Sequence, residues 1–170
     1  MKTNNAINID NKSSKEFSTS NYLPKINFAK KQKTISKSIK FKGIGLHSGK
    51  KVEMIIRPAN SNTGIVFKVK KGPNSFIDIK ANYRNVISTV LCTTISSQGC
   101  SVSTTEHIMS ALYGLNIDNV IIELTDSEVP VMDGSSEAFV NEIISAGFTD
   151  QKDFVKSIRV KKTVEVKDND

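Results

Sequence analysis

Glu106 and His107 stand side by side in the stretch "STTEHIMSALYG", residues 103–114. An acid beside an imidazole can do hydrolytic chemistry. At the start of a helix, neighbouring side chains point about 100° apart. His107 could therefore hold a metal ion while Glu106 faces the water bound to it. A metal lowers the pKa of that water towards ~7, and a carboxylate can then take its proton. The same letters also suit plain helix architecture. Ser103 and Glu106 form S-x-x-E, the capping box, in which the glutamate reaches back to the N-cap N–H. Both readings fit the stretch on its own. The pattern is not H-E-x-x-H, where two histidines lie one helical turn apart. A catalytic zinc takes three protein ligands and keeps one position open. The sequence holds two histidines, His47 and His107. A site made only from these residues needs both of them plus a carboxylate such as Asp133. Otherwise His107 is one ligand and the rest come from another polypeptide.

The elements that would carry this pair can be read from periodicity. Ile108, Ala111 and Leu112 recur at i, i+3, i+4 and give the helix one apolar face. Gly114 is placed to stop it. A second helix is expected over "SEAFVNEIISAG", with Ser135 or Ser136 as cap, Gly147 as stop, and Phe139, Ile143 and Ile144 on one side. Ahead of the first helix, "ISKSIKF", "KVEMIIRP", "IVFKVK" and "FIDIKA" read as strands separated by Gly, Asn and Pro turns. Val52, Met54 and Ile56 alternate with polar neighbours, the period of a half-buried strand. "STVLCTTIS" is β-prone, "NVIIEL" is a strongly apolar strand, and "FVKSIRVKKTVEVKD" closes the chain with strand-forming sequence. About six strands and two helices, strands mostly first, predict an α+β fold: a two-layer domain with two helices on one face of a mostly antiparallel sheet. Residues 1–33 read as a disordered Lys/Asn-rich extension. Residues 34–154 read as the folded domain and 155–170 as a linker strand.

Composition narrows the function classes. Residues 1–40 carry nine lysines and two acids, whereas residues 41–170 carry fifteen basic and fifteen acidic groups. The net charge of +7 therefore resides in the leading segment. A nucleic-acid-binding domain places its basic patch on the fold, with aromatic residues interleaved, so this class is disfavoured. No apolar run reaches the ~18–20 residues that span a bilayer, and no secretory leader is evident. Cys92 and Cys100 lie outside any zinc-ribbon spacing and read as reduced thiols of a cytoplasmic protein.

Four stretches in order carry a family resemblance: "GIGLHSGKKVEMIIRPANSNTGIVF", "STVLCTTI", "STTEHIMSALYGLNIDNVIIEL" and "VPVMDGSSEAFV". Together they resemble the N-terminal half of the UDP-3-O-acyl-N-acetylglucosamine deacetylases, zinc amidohydrolases of lipid A biosynthesis. The resemblance runs from about residue 34 to the end. It implies two similar α+β halves with the active site between them. It also implies that His107 is a Zn2+ ligand and Glu106 the general base. Leu91 and Cys92 then line the site near the metal, and His47 faces the cleft from another loop. Asp133 holds loop geometry. The family's second half supplies a further His and an Asp to the zinc, and no third histidine exists here. The implied partners are a UDP-linked acyl-N-acetylglucosamine and a C-terminal half polypeptide or a second copy of the chain. The competing reading is an inactive remnant, or a non-catalytic binding module that keeps the fold.

Overall fold

A computed structural model of the protein describes residues 30–72, 75–156 and 160–166. The expected extension over residues 1–29 lies outside them. Ten strands and two helices are formed among the described residues: β1 (Lys31–Ile35), β2 (Ile39–Ile44), β3 (Lys51–Pro58), β4 (Ile65–Gly72), β5 (Ser75–Lys80), β6 (Val86–Ser88), β7 (Thr94–Ser97), β8 (Cys100–Val102), α1 (Glu106–Gly114), β9 (Val120–Leu124), α2 (Glu137–Ala146) and β10 (Phe148–Phe154). The main sheet has five strands in the order β2-β3-β9-β4-β5. Only β4 and β9 run parallel in it. A ribbon of β1 and β10 and a small sheet of β6, β7 and β8 flank it.

Alternation sorts the faces of the main sheet. Val52, Met54 and Ile56 of β3 and Val120, Ile122 and Leu124 of β9 are buried. They share one core with Ile108, Ala111 and Leu112 of α1 and Phe139 and Ile143 of α2. Phe41 of β2 meets Phe139 edge-on, with ring centroids 5.1 Å apart. Each such buried Val, Leu, Ile, Met or Phe side chain contributes roughly 1.5–3 kcal/mol by leaving water. The opposite face is laced with ion pairs, Lys40 and Lys42 to Glu53, Arg57 to Glu123 and Lys68 to Asp78. This is the two-layer, mostly antiparallel α+β arrangement expected, with helices against one sheet face.

Several details differ from expectation. Six strands was an undercount, because β1, β10 and the small sheet are separate pieces. The first strand among the described residues, β1, spans Lys31–Ile35 and so includes residues ahead of Thr34. Within the closing segment expected to form strand, residues 160–166 form none, and residues 157–159 and 167–170 lie outside the described residues. The last strand is Phe148–Phe154. Ile144 is exposed rather than part of the buried stripe of α2. Helix α1 runs through Gly114, and the left-handed residue that ends it is Asn116, at φ 56°.

Candidate functional site

Helix α1 begins at Glu106, and Thr105 precedes it in α-like conformation without a side-chain cap. The capping-box reading is therefore overturned. Ser103 is drawn away: its N–H and hydroxyl both donate to the Ser127 carbonyl. Glu106 instead reaches across to the segment before β7, where the Thr93 N–H donates to its Oε2 at 2.9 Å. Among the described residues no hydrogen bond engages its Oε1. Thr105 reinforces the contact, since its hydroxyl and N–H both donate to the Thr93 carbonyl. The carboxylate also lies in the first turn of α1, where the helix field favours negative charge.

Thr93, which follows the pair read as site-lining, is thus tied to Glu106. Leu91 is 87% exposed and left-handed at φ 64°. Cys92 is half-buried, its Sγ 3.7 Å from the Thr94 hydroxyl. Beside them, a groove of about 170 Å3 opens between Thr93, Thr105, Tyr83, Val86, Ile95 and Met109. Both cysteines are free.

His107 follows Glu106, half-buried on the first turn. The Asp133 carboxyl is held below its ordinary range, first by the Ser135 N–H, then by the Ser135 hydroxyl, with a smaller pull from His107. Asp133 also orders its own loop. Its Oδ1 accepts from the Ser135 N–H and hydroxyl, both at 3.0 Å, and the Ser135 oxygen accepts from Glu137 N–H at the start of α2. A hollow of about 460 Å3 runs along Lys42, Gly43, Ile44, Val131, Met132 and Asp133.

His47 is exposed on the loop between β2 and β3. Its backbone N–H, not its ring, makes the tie that matters. It donates to Oε1 of Glu128 at 2.9 Å, Ser48 N–H donates to Oε2 at 2.9 Å, and the Thr104 hydroxyl donates to Oε1 at 2.9 Å. Glu128 is 2% exposed. Burial alone would push its carboxyl up, but the donors from His47, Ser48 and Thr104 outweigh it and lower it to about 2. Sequence reading missed Glu128, because an acid in "DSEVP" looks like any loop residue. Thr104 was missed as well. It is buried and left-handed at φ 57°, which a β-branched residue rarely adopts.

Among the described residues no three of His, Cys, Asp and Glu converge as a metal shell. A zinc site built from His47, His107 and Asp133 alone is therefore not formed. His107, with Glu106 beside it in sequence, is an imidazole of the kind that zinc takes. The donor set suits zinc in kind and falls short in number.

Residues 32–170 match the family profile described as UDP-3-O-acyl N-acetylglycosamine deacetylase. The chain belongs to this family. It is 47% identical over 139 residues to the UDP-3-O-acyl-N-acetylglucosamine deacetylase of Chromohalobacter salexigens. It is 45% identical over 139 residues to that of Xanthomonas oryzae pv. oryzae and 45% over 141 residues to that of Haemophilus influenzae. In each case the match covers 82% of this chain and 46% of the relative. The chain thus spans about half the length of the deacetylases it matches.

Proposed function

We propose that this chain supplies the N-terminal half of a zinc-dependent deacetylase. Its substrate would be UDP-3-O-acyl-N-acetylglucosamine, and its reaction the removal of the N-acetyl group on the way to lipid A. The observation that carries the reading is the Glu106 carboxylate. One oxygen is pinned by the Thr93 N–H, the other has no protein partner among the described residues, and His107 is its neighbour. His107 would hold zinc together with ligands from a second polypeptide half. Zinc, when bound, supplies Lewis acidity that polarises the acetamide carbonyl and acidifies water. Oε1 of Glu106 takes a proton from the attacking water as the water oxygen bonds to the carbonyl carbon. The C–N bond then breaks as the proton that Glu106 took from water passes to the leaving nitrogen, and acetate and the free amine are released. Leu91, Cys92 and His47 would border the substrate.

The test is reconstitution with the C-terminal half of a matching relative, followed by acetate release. Activity should appear only with both halves, and Glu106→Gln should lower it by roughly 10²–10⁴-fold with the circular dichroism spectrum kept. Full activity in Glu106→Gln would sink the base assignment. An inert wild-type complex that binds zinc and substrate would favour the non-catalytic reading instead. Zinc titration of the chain alone should show weak binding, and submicromolar one-to-one binding that survives His47→Ala would contradict the half-site.

A further inference from the structure

Glu128 is the most deeply buried charge among the described residues. Its carboxylate is paired with no Lys or Arg among them. Burying an anion without a cation is costly. Here backbone and hydroxyl donors take the place of the cation, and they come from two separate segments. Oε1 alone bridges them, with His47 N–H from the β2–β3 loop and the Thr104 hydroxyl from the segment leading into α1.

The backbone around Glu128 binds the same two segments. Ser103 pairs with Glu128 in a parallel bridge, and Gly45 pairs with Pro130 in an antiparallel one. Val129 N–H donates to the Ser103 carbonyl and Val131 N–H to the Ile44 carbonyl. Gly45 is required for the approach: a Cβ there would overlap Oε2 of Glu128 and the Ser48 hydroxyl. Thr104 holds a strained backbone two residues before Glu106, and such strain persists only where surrounding bonds over-determine it.

We infer that Glu128 is a positioning residue that couples the loop carrying His47 to the turn that presents Glu106 and His107. Its carboxylate sets Thr104, Thr104 sets the first residues of α1, and Glu106 there meets Thr93. The kinetic consequence rests on the deacetylase reading, whereas the coupling itself does not.

The experiment uses amide resonances of the isotope-labelled chain in two variants. Glu128→Gln leaves one acceptor oxygen where two served. Gly45→Ala keeps every charge and displaces the carboxylate. In either variant the amides of His47, Ser48, Thr104 and Thr93 should move together, while Met54 and Leu124 in the main sheet stay. Thr93 is decisive, because it does not bond Glu128 and reports the Glu106 carboxylate. In the reconstituted complex, kcat should fall about 10–100-fold, as expected of a small misplacement, with KM nearly unchanged. Ile122→Val, matched for thermal stability, should keep kcat. Shifts confined to His47 and Ser48 with Thr93 unmoved would overturn the coupling, as would an unchanged kcat in both variants. If Glu128→Gln does not fold, Gly45→Ala decides alone. If the wild-type complex is inactive, the deacetylase reading fails and the Thr93 resonance still settles the coupling.

Discussion

Glu106 accepts from the Thr93 N–H through one oxygen, and the other has no hydrogen-bond partner among the described residues, which separates what its substitutions should do. Glu106→Gln keeps a carbonyl oxygen for the Thr93 N–H, so urea unfolding should change little. Glu106→Ala leaves that N–H without its partner and should cost about 1–3 kcal/mol in the same measurement. Glu128 makes a pH-dependent contribution. Its carboxyl falls from 4.5 to about 2 in the fold, so the fold favours the ionised form. That stabilisation is complete above the unfolded value and is lost as pH falls through the folded one. It amounts to about 3 kcal/mol. Glu53, Asp126 and Asp133 are depressed as well and add to the same acid limb. Chemical denaturation between pH 6 and pH 2 should show stability falling with acid, and Glu128→Gln should flatten that fall while lowering stability near neutrality.

At the scale of elements, the turn from α2 into β10 depends on one glycine. Gly147 sits at φ 76°, ψ 172°, a region that is essentially glycine-only. Gly147→Ala should cost about 1–3 kcal/mol, read as a lower melting temperature, with the Ser36 N–H bond to the residue-147 carbonyl as the first to exchange. The glycine was legible in the sequence, and so were the elements with one wet and one dry face. The alternation of β3 and the i, i+3, i+4 face of α1 are both consequences of burying one side. β10 was illegible for the opposite reason. "FTDQKDF" is largely exposed, and its pairing with β1 rests on backbone bonds that leave no apolar period. The capping box failed because long-range bonds from Ser103 to the Ser127 carbonyl, within the bridge to Glu128, outcompeted a local bond. Nothing near Ser103 in the sequence announces a partner at residue 128. The site was legible only as far as local letters and resemblance reach: Glu106, His107 and the segment at Leu91 and Cys92 could be named, whereas Glu128, Thr104 and Thr93 act through contacts that the chain order hides.

At the scale of the whole molecule, the helices carry apolar groups on the side away from the sheet. Tyr113 of α1 and Ile144 of α2 are both exposed, and apolar surface left in water can be buried by association. Sedimentation should show concentration-dependent self-association of the chain, and Tyr113→Ser with Ile144→Ser should reduce it. The β1–β10 ribbon carries a different consequence, one of timing. Lys31 pairs with Phe154, and Ile35 with Phe148. During synthesis at about 5–20 residues per second, β1 waits roughly 6–25 s for its ladder partner to be made. A lone strand with open hydrogen-bonding groups invites the wrong neighbour, and lysines along it discourage that. Lys31 and Lys33 stand on this strand, alternating with the buried polar residues Gln32 and Thr34. The strand that waits longest is thus poor in grease and rich in charge, a sequence fit to stay unpaired on a nascent chain until its partner arrives.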